Sequence, residues 1–101
     1  MISHFVFAKI QDTVSPIERG AKYEDPLSDA LQRAGLGEVT GGGTMQNKDG
    51  SIAWIGVDIE VKDLTTGIPL VRRKLRELGA PRGSVLEYTV DDEPIEVPVH
   101  D

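Results

Sequence analysis

The sequence contains no cysteine, a single tryptophan, two tyrosines, two phenylalanines and two histidines. The absence of cysteine excludes a disulfide scaffold, a thiolate zinc site, an iron–sulfur cluster and a cysteine nucleophile. Long hydrophobic runs are also missing. The apolar stretch at the start of the chain is broken at Lys9, too early for a secretion signal or a membrane-spanning helix. The expectation is a cytoplasmic protein with no membrane partner. Basic charge is in deficit, 11 Lys and Arg against 17 Asp and Glu, which leaves a net charge of −6. A nucleic-acid partner is not expected, because neutralising phosphates requires a surplus of clustered cations. The imbalance suits a basic partner and also favours solubility.

Signatures of catalysis are missing as well. No HExxH, GxSxG or GxxxxGK[ST] pattern occurs, and His4 and His100 stand outside any motif. The run Asp91-Asp92-Glu93 lacks the spaced ligands of a dedicated calcium or magnesium site and reads as a solvated turn. No catalytic residue, metal or cofactor is expected, and the chain reads as non-enzymatic.

What is present is an ordinary globular composition, 39% hydrophobic and 28% charged over 101 residues, enough to bury a core as one domain spanning residues 1–101. Residues 2–10 read as a central strand, with Ile2, His4, Val6, Ala8 and Ile10 on one face and Phe5 and Phe7 on the other. Residues 11–24 read as a long loop. Asp25 and Pro26 then offer a cap and first turn for a helix over 26–34, which Gly35 ends. A second strand near residues 38–46 and the Asp49-Gly50 turn lead into residues 51–62. There Ala53, Ile55, Val57, Ile59 and Val61 alternate with Ile52, Trp54, Gly56, Asp58, Glu60 and Lys62. Asp63, Thr65 or Thr66 can cap a second helix with Pro69 in its first turn and Ile68, Val71, Leu75 and Leu78 as its apolar stripe. Residues 84–90 form a further strand, and residues 95–99 suit an edge strand that tolerates Pro98. The predicted fold class is α+β: a ferredoxin-like split βαβ sandwich, βαββαβ with an optional last strand, its antiparallel sheet carrying both helices on one face.

Three constellations compete for function. Trp54, Asp58 and Glu60, joined by Phe5 and Phe7, fall on the sheet face the helices leave open. Aromatics give contact area there, and carboxylates select a basic counterpart. Homodimerisation could bury the same face. Gly41, Gly42 and Gly43, with Arg72, Arg76 and Arg82, are candidate ligand-binding residues at a cleft between protomers, although glycines within a strand more often mark a bulge or a close backbone contact. Arg19, Tyr23 and Glu24 could rim a polar pocket near the glycines.

The stretches at residues 18–27, 35–44 and 75–84 resemble a group of small, uncharacterised bacterial proteins, similar in turn to compact acidic immunity proteins that neutralise secreted toxins. In topology alone the chain is similar to the trimeric nitrogen-signalling and copper-tolerance regulators. It lacks the nucleotide-binding loop of the first and the metal-ligating cysteines of the second. The resemblance implies an inhibitor of a basic protein, such as a toxin. The regulators imply instead an oligomeric ligand sensor.

Overall fold

The computed structural model describes residues 3–100. Its strands are β1 (His4–Ile10), β2 (Gly37–Gln46), β3 (Ile52–Val61), β4 (Val85–Val90) and β5 (Glu93–Pro98). They form one sheet in the order β2-β3-β1-β4-β5, with every neighbouring pair antiparallel. The chain is α+β, as expected, but the sheet has five strands. The last of them joins the free edge of β4 over residues 93–98, where the sequence suggested 95–99. Ile2, assigned above to the first strand, lies outside the described residues.

Alternation decides which side of the sheet is covered. Val6, Ala8 and Ile10 of β1, Ile55, Val57, Ile59 and Val61 of β3 and Leu86 of β4 are all fully buried. Leu27 and Leu31 from one helix and Val71 and Leu75 from the other pack against them. Each such Leu, Ile or Val contributes on the order of 1.5–3 kcal/mol by leaving water. Both helices therefore cover this face, and the opposite face keeps its even-numbered β3 residues uncovered by any helix.

The segment expected to be a loop is mostly helix. Only residues 11–15 are irregular, followed by α1 (Pro16–Arg19), a π-helical turn (Gly20–Glu24) and α2 (Asp25–Arg33). Gly20 and Asp25 both keep right-handed helical angles, so residues 16–33 form one continuous rod. Its cap is Ser15, not Asp25. The Ser15 hydroxyl accepts from the Glu18 N–H at 3.3 Å, and the Glu18 carboxylate accepts from the Ser15 N–H at 3.4 Å, with Pro16 in the first turn. Pro26 sits inside the rod, directly after the π turn. It has no N–H to give and its ring crowds the preceding turn, and the wider π turn supplies the slack. Gly35, at φ +68°, ends the rod as predicted.

The second long helix, α3 (Leu64–Glu77), is capped by Asp63, whose carboxylate accepts from the Thr66 N–H at 3.2 Å. Pro69 falls in its second turn rather than its first. Beyond β5 the chain is tied down on α3's side. Arg72 donates to the Pro98 carbonyl, Arg76 to the Val99 carbonyl, and the Val99 N–H to the Ser84 carbonyl at 2.8, 2.7 and 2.9 Å. Val99 is fully buried.

The β4–β5 hairpin turns through Asp91 and Asp92, at φ +51° and +65°. Two left-handed residues in succession suit Asn-Gly better than Asp-Asp, because an ordinary Cβ crowds the following carbonyl. Asp91→Asn/Asp92→Gly is expected to raise the thermal midpoint, by about 1 kcal/mol of stability. A lowered midpoint in a thermal melt would refute the turn geometry.

Candidate functional site

The uncovered sheet face is organised by register. One row crosses all five strands: Gly41, Asp58, Phe7, Glu87 and Glu96 stand opposite one another in succession. The next row holds Glu38, Glu60 and Phe5. On the other side run Gly43, Gly56, Lys9, Val85 and Pro98, and beyond them Met45 faces Trp54. The face thus has an acidic half around Phe5 and Phe7 and an apolar half around Trp54.

Two carboxylate pairs face each other directly across neighbouring strands, Glu38 with Glu60 and Glu87 with Glu96. Like charges placed so are unfavourable by roughly 0.2–1 kcal/mol per pair. Among the described residues no Lys or Arg forms a salt bridge with any of these four. The Glu60 carboxylate accepts from the Ser3 hydroxyl at 2.7 Å. Lys62 lines the same cavity as Glu38 and Glu60 but forms no salt bridge with either, and Lys9, the cation within the rows, is engaged elsewhere: its ammonium lies 4.8 Å from the centre of the Trp54 ring. Phe7 meets the same ring edge-on, with centroids 6.1 Å apart and planes at 80°. Phe7 also covers Gly56, where a Cβ would come within 2.5 Å of its ring, so glycine there lets the aromatic lie flat on the strand.

Phe5, Phe7, Trp54, Asp58 and Glu60 therefore share the open face, as the alternation predicted. Trp54 is half-buried beneath Lys9 and beside Phe7, while Phe5 is 52% exposed. Sequence reasoning missed Lys9, Glu87 and Glu96, whose alternation within their own strands points to this face. It also missed Glu38, because a bulge between Val39 and Gly41 shifts the phase of β2.

The glycines and arginines proposed as a ligand site lie apart. Gly41, Gly42 and Gly43 are on the β2 edge, whereas Arg72 and Arg76 bind the end of β5 at the opposite edge, and Arg82 is exposed in the turn before β4. An anion at the glycines would meet carboxylates on both faces. A Cβ at Gly41 would lie 3.4 Å from Asp58 Oδ2, and one at Gly42 2.7 Å from Glu24 Oε2. Gly42 instead makes room for the Arg19–Glu24 ion pair, 2.6 Å apart, whose guanidinium also donates to the Thr44 hydroxyl at 2.8 Å.

Arg19 and Glu24 do reach the glycine segment, but Tyr23 turns to the core and donates its hydroxyl to Asp12, which also pairs with Lys22 at 2.8 Å. Burial, reinforced by the bond to Asp12, pushes the Tyr23 phenol up to about 12. Burial works against the charged Asp12, yet the Lys22 ammonium, the Tyr23 hydroxyl and the Thr13 N–H together hold it below the usual carboxylate range. Among the described residues no cluster of His, Asp or Glu is arranged to hold a metal, and no helix is long and apolar enough to cross a membrane.

Known protein families, curated proteins and solved structures offer no match to this chain.

Two predictions follow from this geometry. Glu96→Lys, which sets opposite charges across from each other, is expected to stabilise the fold by a few tenths to about 1 kcal/mol, more at low salt; a drop in the urea midpoint would contradict the register. Tyr23 keeps its proton in the fold after the unfolded phenol, near 10, has lost it, so its stabilisation is complete below pH 10 and disappears as pH rises towards 12. Tyr23→Phe is expected to flatten the fall in stability between those pH values, and an unchanged slope in alkaline urea titrations would show that burial and Asp12 do not hold the phenol protonated.

Proposed function

We propose that the protein is a non-enzymatic, acidic protein-binding module of the immunity or inhibitor type, and that it blocks a basic protein partner, such as a bacterial toxin, through the open sheet face. On this reading the chain follows the ferredoxin-like βαββαβ plan with β5 added at the edge, and it works in the cytoplasm. The observation that supports it is the two directly opposed carboxylate pairs beside Phe5 and Phe7, Glu38–Glu60 and Glu87–Glu96, which no salt bridge among the described residues neutralises. A face that opposes its own charges in the free state gains most from a cationic surface laid over it. A second copy of the same face would bring carboxylates against carboxylates, which favours a basic partner over self-association. The net charge of −6 would also speed the encounter.

The test is capture of the partner from bacterial lysate on the tagged protein, its identification, and an assay of the purified partner's own activity with and without the protein. One basic protein is expected, bound one to one and inhibited, with affinity lost in Asp58→Lys/Glu60→Lys while circular dichroism stays unchanged. Equal retention by that variant would remove the face from consideration. A bound partner that stays fully active would remove the inhibitor role.

A further inference from the structure

β1 and β4 run side by side for only part of their length. Their pairing covers Lys9–Val85, Ala8–Leu86 and Phe7–Glu87 and stops there, although β1 continues back to His4 and β4 on to Val90. Past Phe7 the two strands part, and a groove of about 440 Å³ opens on the acidic half of the face. Phe5 and Phe7 line one side of it, and Glu87, Thr89, Pro94 and Glu96 the other. The groove combines an exposed aromatic wall with two carboxylates that oppose each other and have no ion-pair partner among the described residues.

We infer that this groove is the anchor point for a single arginine side chain of a basic partner, an inference that rests on the reading above and deepens it. Charge complementarity selects a cation, because one positive group between Glu87 and Glu96 turns a repulsive pair into two attractions. The aromatic wall selects arginine over lysine: a guanidinium is planar, weakly hydrated and able to stack on a ring while its edge donates to two carboxylates at once. An ammonium satisfies the carboxylates but gives up less readily the water it must lose against Phe5 and Phe7. An anchor buried among aromatics inside a polar rim is where binding energy concentrates in protein interfaces.

The experiment titrates isotope-labelled protein with acetyl-Gly-Arg-Gly-amide and follows backbone and ring resonances by NMR, with lysine and citrulline versions of the peptide as comparisons. Saturable shifts are expected at Phe5, Phe7, Thr89 and Glu96 with the arginine peptide, weaker ones with lysine and none with citrulline, which keeps the shape and lacks the charge. Glu87→Gln/Glu96→Gln should lose roughly tenfold in affinity, the scale of a lost charge-assisted contact, while Glu77→Gln, at the exposed end of α3 on the helix-covered side of the sheet, leaves it unchanged. Shifts spread evenly over Glu38, Glu60 and the groove would overturn the anchor and leave the acidic-face reading standing, as would no saturable shift together with capture of a partner sensitive to Asp58→Lys/Glu60→Lys. Groove binding of arginine without any captured partner would do the reverse.

Discussion

The register of β3 is the constraint on which the rest of the molecule depends. Ile55, Val57, Ile59 and Val61 are fully buried under the helices, and because side chains alternate, Trp54, Asp58 and Glu60 must appear on the other side. A slip of one residue would drive two carboxylates and an indole into the core, which fixes the register with far more energy than any surface contact could supply. The close approaches around β3 point the same way. Gly37 allows the β2 backbone so near Glu60 that a Cβ there would lie 2.0 Å from its carbonyl oxygen, and Gly56 accepts the Phe7 ring. The acidic face is thus tied to the hydrophobic core: the same pairings that bury the aliphatic residues set Glu60 opposite Glu38.

The strands of the centre were legible in the sequence because each is an alternating run bounded by breakers, and α3 because Val71 and Leu75 repeat at helical spacing behind a capping Asp63. The second half of the helical rod, read as a helix over 26–34, was legible too, but its first half over residues 16–24 was not, since Pro16 and Gly20 read as punctuation and the stretch between them is polar. Two signals were nevertheless available. Ser15 and Glu18 have the spacing of a capping box, and Tyr23, Leu27 and Leu31 recur every four residues and are all buried. Pro26 is accommodated by a π turn, which no periodicity announces. On the open face, Asp58, Glu60, Phe5 and Phe7 followed from alternation within one strand. The opposition of carboxylates did not, because it depends on which strand lies beside which and on a bulge that shifts β2 by one residue.

The two sides of the sheet treat charge differently. Under the helices, Arg19 with Glu24 and Lys22 with Asp12 are paired and hydrogen-bonded, and no buried side-chain nitrogen or oxygen among the described residues lacks a partner. On the open side the carboxylates are left opposed and the one cation of the rows is held over an indole. Polar groups were therefore satisfied wherever stability required it, and the conflict is confined to the surface where a partner could relieve it. Such local departures from otherwise consistent chemistry are characteristic of functional surfaces.

The central position of β1 also shapes how the chain folds. Phe7 pairs with Asp58 on one side and with Glu87 on the other, so neither neighbour of the central strand is close to it in sequence. The hairpins β2–β3 and β4–β5 can form locally, but the sheet exists only when both have closed large loops onto β1, and loop closure of that kind slows folding. Until the second hairpin is made, Val6, Ala8 and Ile10 have only half their lateral support. During synthesis the molecule thus passes through an interval in which its central strand has an open edge, and pairing with the wrong chain competes with folding until residues 85–98 arrive.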